Sequence, residues 1–340
     1  ATAKLMSVPP TLKMVPKTAL KQDVTLRTLE TTAERLKNWG KWGPEDEVGS
    51  LNYLANPEVL AGVAEIRSGK TFTLGVPMGS PAGDPVWPGR RQARRVNTVD
   101  AGLWMAGKGF PIPGGAQYSD DMLVIDVQSS SQYDALGHAW YGDQLYNGYD
   151  AATTVGAMTK ANIMPIAEKG IVGRGVLLDM AKYRGKKVLD AGETFTHDDL
   201  LAAAAQQGVE IRKRDVLLVH TGWINSYYDG DTAKFQNANF MEPGLTHSKE
   251  LVEWFAEMEI PNLVTDTIAN EVTLDPASGL SLPLHQALMR NLGVVFAEIM
   301  NLTPLANDCA ADGQYSFLYT AAPIKLVNGT GAPVNPVVVK

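Results

Sequence analysis

Cysteine is almost missing from this chain: one residue, Cys309, in 340. A single thiol excludes an internal disulfide and any zinc site built from cysteines. Cys309 itself lies in a polar stretch, Asn307-Asp308-Cys309-Ala310, with no nucleophile motif around it. Positive charge is also short, with 30 Lys and Arg against 37 Asp and Glu and a net charge of -7. That balance speaks against nucleic acid as a partner. The densest basic run, Arg90-Arg91-Gln92-Ala93-Arg94-Arg95, reads as a solvated loop, with a subunit contact as its functional alternative. No apolar run approaches the roughly 20 residues that span a bilayer, so no membrane partner is expected. No signal peptide is visible, which points to the cytoplasm, although the chain starts at Ala1 and a removed leader stays open.

Common catalytic signatures are absent too. There is no Gly-x-x-x-x-Gly-Lys-Ser/Thr loop, no Gly-x-Ser-x-Gly elbow and no His-Glu-x-x-His helix. Gly173-Arg174-Gly175 precedes a strand pattern, the wrong order for a dinucleotide turn. The run Ser129-Ser130-Ser131 has only His138 nearby as a base, and its small side chains suit close backbone approach better than a serine triad.

What remains is an ordinary globular composition, 45% hydrophobic and 20% charged, long enough for a core without staples. Residues 1–38, with Pro9, Pro10 and Pro16, read as an extended arm, and residues 39–340 as one domain. Pro57 opens a helical pattern that Gly69 ends, and 71–76 alternates like a strand. Residues 79–119 form a long Gly/Pro/Arg-rich stretch suited to a lid or a subunit contact, with Trp104 as a candidate to cover a pocket. Beyond it, strands and helices alternate. Strands are expected at 123–127, 175–180, 216–220, 262–266, 294–297, 316–320 and 324–327. Helices are expected after caps at Thr196, with Asp199 completing a capping box, and at Thr246, and a short one from Pro283 to Gly293. The order argues for an α/β protein on a mixed sheet.

Residues 128–148 carry the chemistry. Asp134 and His138 stand four residues apart, with Gln128 and Gln132 at the same spacing. His285 opens the short helix and Glu298 ends the strand after it, so the turn at Gly293 can return both to one end of the sheet. His, Asp and Glu are metal ligands, and these four residues form a candidate set. Against it stand ordinary roles: a satisfied His138 beside Trp140, and a strand-end carboxylate at Glu298.

At these positions the chain resembles the cyclase family of metal-dependent hydrolases, which includes kynurenine formamidase and isatin hydrolase. The family signature is His-x-Gly-Thr-His-x-Asp-x-Pro-x-His. Here the segment reads Gln128-Ser129-Ser130-Ser131-Gln132-Tyr133-Asp134-Ala135-Leu136-Gly137-His138, followed by Leu145-Tyr146-Asn147-Gly148. Further blocks match in order: Trp42-Gly43-Pro44-Glu45-Asp46-Glu47-Val48-Gly49-Ser50-Leu51-Asn52, Gly173 to Asp179, His220-Thr221-Gly222-Trp223, and His285 with Gly293 and Glu298. The likeness spans about residues 39–339. It implies a swivelling β/β/α fold, a homodimer or homotetramer, and zinc or manganese acting on an amide or lactone bond of a small molecule. It implies one ion held by Asp134, His138, His285 and Glu298, with Gln132 as an extra ligand and His138 or Glu298 as general base. Glutamine stands where the first two signature histidines fall, and a neutral amide oxygen suits harder ions. Gln128, Tyr133, Trp140, His220, Trp223 and Trp104 are candidate substrate contacts, while His197 and His247 read as surface residues. A metal-free binding protein and a metal-dependent lyase or cyclase are the competing readings.

Overall fold

Continuous apolar runs make strands buried on both faces, and four of them form the centre of this molecule. The computed structural model describes residues 34–235, 241–276 and 279–340. Its main sheet has nine strands: β1 (Thr71–Thr73), β2 (Gln132–Asp134), β3 (Ile171–Asp179), β4 (Val216–His220), β5 (Asn262–Thr265), β6 (Val295–Glu298), β7 (Ser316–Ala321), β8 (Gly331–Pro333) and β9 (Val337–Val339). Their order across the sheet is β1-β9-β7-β3-β4-β5-β6-β2-β8. Strands β3 to β6 run parallel, and those on either side are antiparallel. The sheet curls. Past β1, Asn301 donates to the Leu74 carbonyl at 2.8 Å and Val76 donates to Ser131 Oγ at 2.8 Å, which brings one edge towards the other. The expected α/β architecture on a mixed central sheet is therefore the one observed.

Helices cover the sheet where the sequence put apolar stripes. The capping box at Thr196 forms: Asp199 N–H donates to Thr196 Oγ1 at 3.3 Å, and Thr196 N–H donates to Asp199 Oδ2 at 2.9 Å. It starts the helix His197–Gln207, and Gly208 ends it in the left-handed region. The cap of Lys249–Glu257 is Ser248 rather than Thr246, because the Thr246 hydroxyl is engaged by Asp275.

Two further expectations are corrected. Residues 123–127 do not form a sheet strand leading into the site. Asp120–Val124 pairs with Arg94–Val99 in a separate ribbon, all five of its residues exposed, and Asp126 turns away to hold Arg91 at 2.6 Å. Residues 324–327 are not a strand either; with Ile324 60% and Val327 71% exposed they gain nothing from pairing, and β8 and β9 complete the sheet instead. Cys309, in its polar stretch, faces inward from the helix Thr303–Asp312, where burial pushes its thiol up to about 12. The predicted arm lies mostly in residues 1–33, outside the described residues; of the rest, Asn38 and Trp39 bond to the carbonyls of Leu292 and Arg290.

Candidate metal centre

Strand register assembles the centre. Gln132 of β2 lies directly opposite Glu298 of β6. Side chains alternate along a strand, so Gln132, Asp134 and Glu298 share one face and Tyr133 takes the other. Tyr133 is therefore not a pocket residue. It is fully buried, with its hydroxyl 2.9 Å from Asn262 Oδ1 and 2.7 Å from the Tyr319 hydroxyl. His285 comes down from above, at the head of a π-helical turn, His285–Arg290, its ring edge-on to Phe296 at 5.0 Å. That turn ends where Gly293 meets Gly49. A Cβ on Gly49 would stand 2.4 Å from the Gly293 carbonyl oxygen, and both residues have positive φ, which explains glycine in two blocks far apart in sequence.

Asp134, His285 and Glu298 each offer a ligand atom within 4.8 Å of the others. His285 Nε2 is 3.5 Å from Glu298 Oε1 and 3.9 Å from Asp134 Oδ2. Glu298 Oε2 accepts from Gln132 Nε2 at 2.8 Å, and Glu298 Oε1 accepts from Asn270 Nδ2 at 3.2 Å. All of these side chains are buried. Burial raises the Asp134 carboxyl above its usual range, and the neighbouring Glu298 adds to this. Three buried oxygens here have no hydrogen-bond partner: Asp134 Oδ1, Gln132 Oε1 and Asn270 Oδ1. Unsatisfied buried acceptors are costly. The carboxylates of Asp134 and Glu298 with the His285 imidazole make a donor set of oxygen and nitrogen that fits a divalent cation, zinc or manganese by ligand type.

Glu271 is the residue the sequence did not reveal. Fully buried, it accepts from the backbone N–H groups of Leu284 at 2.6 Å and His285 at 2.8 Å. Its Oε1 lies 2.6 Å from His285 Nδ1. Burial opposes charge on this imidazole, but the bonds to Glu271 and Glu298 outweigh it and raise His285 to about 10. A carboxylate on Nδ1 fixes the ring and leaves Nε2 facing Asp134 and Glu298. Gly244 passes so close that a Cβ would stand 2.3 Å from the Glu271 carbonyl carbon. No local motif marks Glu271 or Asn270, both on the segment after β5, since acidic and amide residues are common in such segments.

The remaining candidates divide. His138 stands at the rim, with Nε2 3.9 Å from Asp134 Oδ1; burial lowers its pKa, with the charges of Arg90 and His285 acting in the same direction. Gln128 is beside it, Nε2 3.4 Å from His138 Nδ1 and 3.0 Å from Thr330 Oγ1, while its carbonyl accepts from Arg90 at 2.8 Å. Trp140 follows at the surface, 38% exposed. Trp223 is instead core, packed with Val76, Phe235, Ile268 and Ile299. Trp104 sits on the helix Ala101–Met105 between the strands of the ribbon, its Nε1 donating to the Tyr118 carbonyl at 2.9 Å. His220 points to the opposite face of the sheet, as register requires: Val219 pairs with Thr265, and Glu298 is level with both. His197 and His247 are not surface residues: both are half-buried, and burial lowers His247 to about 4. The serine run is structural at Ser131, whose hydroxyl donates to the Ile299 carbonyl at 2.6 Å.

Fold and site together define an α/β protein whose buried carboxylate–imidazole cluster sits at the carboxyl end of a curled mixed sheet. Residues 72–272 match the family described as putative cyclase, and the chain belongs to that cyclase family. A crystal structure described as a novel cyclase is 36% identical, with a TM-score of 0.80 over 91% of this chain and 99% of the other. Isatin hydrolase A from Labrenzia aggregata, solved with benzyl benzoate, shares the fold at 18% identity and a TM-score of 0.57, covering 83% of this chain and 97% of its own. An isatin hydrolase bound to thioisatinate aligns similarly, at 20% identity and a TM-score of 0.56 over 84% and 98%. Comparison with curated proteins gave no match.

Proposed function

We propose that this protein is a metal-dependent hydrolase that opens a small cyclic amide or lactone, or cleaves an aryl formamide. The observation that carries the reading is the convergence of Asp134, His285 and Glu298, with buried oxygens of Asp134, Gln132 and Asn270 left without a hydrogen-bond partner. These three side chains would hold one divalent ion, zinc or manganese, with Gln132 contributing its free amide oxygen. Such an ion supplies polarisation of a carbonyl and a water acidic enough to ionise near neutral pH, at about 7.

The chain's own residues then have distinct tasks. Glu298 is an anchor: both its oxygens already accept hydrogen bonds, from Gln132 and Asn270. Glu271 orients His285. His138 takes the proton, because it alone among the four histidine and carboxylate candidates reaches the rim, with its side chain 25% exposed. Its lowered pKa keeps it neutral, and so basic, at pH 7. Gln128 lies beside the ring, its Nε2 3.4 Å from Nδ1, and Trp140 follows at the surface.

Metal content measured on protein purified without chelator, together with hydrolysis of a lactone, a cyclic amide and an aryl formamide in heavy-oxygen water, tests the reading. Stoichiometric zinc or manganese and one solvent oxygen in the product acid are expected, and Asp134→Ala should lose both metal and turnover. A metal-free protein would favour a binding role, and product without solvent oxygen a lyase.

A further inference from the structure

A second cluster of titratable groups lies on the opposite face of the same sheet. Asp179 ends β3 and His220 ends β4, and the two are paired in register. His220 Nδ1 is 2.9 Å from Asp179 Oδ1, and its Nε2 is 3.2 Å from Thr303 Oγ1. Thr303 donates onward to Asn225 Oδ1 at 2.9 Å. The Thr303 proton is thus committed, so the hydroxyl accepts from Nε2–H while the carboxylate accepts from Nδ1–H. Both ring nitrogens face acceptors, and although burial opposes charge on the ring, the bond to Asp179 raises its pKa. Asp266 lies beside it, Oδ2 at 3.9 Å, with Oδ1 occupied by the N–H and hydroxyl of Thr221.

This network forms the floor of a cleft of about 470 Å³ between the helix Thr303–Asp312 and the turn at 181–187. That is the size of a small-molecule site. It lies at the carboxyl ends of parallel strands, where ligands of open α/β sheets bind. Lys182, Lys186 and Lys187 line it. Lys186 is held by Asp190 and Glu193 at 2.7 Å each, whereas Lys187 forms no ion pair among the described residues. In the floor, Asp179 is engaged by His220 and Asp266 Oδ1 by Thr221, while Asp266 Oδ2 has no hydrogen-bond partner. The cationic groups that line the rim outside an ion pair among the described residues are those of Lys182 and Lys187. The helix that carries Thr303 has no side-chain cap at its first turn, and its dipole favours an anion there.

We propose that this cleft is a second binding site, for a small organic oxyanion, a carboxylate or a phosphate. The anion would sit between the Lys182 and Lys187 ammonium groups and the Asn225 amide nitrogen, over the His220–Thr303 pair. The site needs neither Asp134 nor His285, so it stands independently of the hydrolase reading.

Calorimetric titration of the full chain with inorganic phosphate and with succinate, at low ionic strength, tests it. Saturable binding of at least one is expected, unchanged in Asp134→Ala and at least tenfold weaker in the doubly substituted Lys182→Gln, Lys187→Gln protein. The better ligand of the two identifies the source class. Because both lysines are exposed, the double variant should keep its fold, checked by circular dichroism; His220→Gln gives a second readout and should weaken the same binding. The proposal is overturned by no binding of either anion, by equal binding in the lysine variant, or by loss of binding in Asp134→Ala, which would place the anion at the metal centre.

Discussion

The imidazole of His285 is useful to a cation only if its ring is fixed, and a single carboxylate does that. Glu271→Gln keeps the shape but removes the charge that holds Nδ1–H. We expect it to weaken zinc or manganese affinity by about 10- to 100-fold, the usual effect of losing such a partner, read by metal-competition titration. Tyr133→Phe is the opposite case. It deletes a hydroxyl bridging Asn262 and Tyr319, so it should cost about 1–3 kcal/mol in urea unfolding and leave kcat/KM nearly unchanged. The contrast shows what single residues reveal. Asp134, His285 and Glu298, which the structure brings together, could be named beforehand because they match the family resemblance and the turn at Gly293 can return His285 and Glu298 to one end of the sheet. Spacing alone was too weak to group them. Tyr133 and Trp223 were misplaced because an aromatic side chain reads alike in a pocket and in a core. Glu271 was invisible because its role depends on a contact 14 residues along the chain, across a bend.

At the scale of elements, long apolar strands and capped helices could be read directly, as at β3, β4 and the Thr196 capping box. The three-residue strands β2, β8 and β9 could not. They are shorter than any periodicity, and β8 carries Pro333, which a sheet accepts at its edge. One buried carboxylate gives the elements a pH response. Burial pushes Glu242 up to about 8, although Ile268 N–H donates to it at 2.7 Å. The folded state therefore holds this proton more tightly than the unfolded chain, where a glutamate titrates at about 4.3. Its contribution to stability is fully present below that value and is lost as pH rises towards 8. Glu242→Gln should flatten this part of the decline in the urea midpoint between about pH 4.3 and 8, and should be more stable than the parent at pH 9.

For the whole molecule, the ribbon of Arg94–Val99 and Asp120–Val124 is the outlying part. Val96, Met122, Leu123 and Val124 are each about half exposed, Phe110 is 75% exposed and Met105 88%. By register Val96, Met122 and Val124 share one face of the ribbon, and exposed apolar surface of this kind marks association. We expect a homodimer or homotetramer that uses this ribbon. Light scattering should show it, and Val96→Lys with Val124→Lys, on the same face by register, should shift the mass towards the monomer while the fold persists. The stretch 79–119 was legible as a long insertion; its folding into a ribbon was not, because alternation says nothing about what a strand will pair with.

The helix bearing His285 finishes on carbonyls that residues near the start of the described chain satisfy. Asn38 and Ser50 donate to Leu292 at 2.6 Å each, Trp39 to Arg290 at 2.9 Å, and the Ser50 N–H to Gly293 at 2.8 Å. Contacts this distant in sequence form late and slowly. During translation, Asp134 leaves the ribosome well before His285 and Glu298, and the early segment waits unpaired for its partner. On the proposed metal reading, a nascent chain should thus remain unable to bind a divalent ion until Glu298 has been made, so that ion loading follows synthesis of most of the chain.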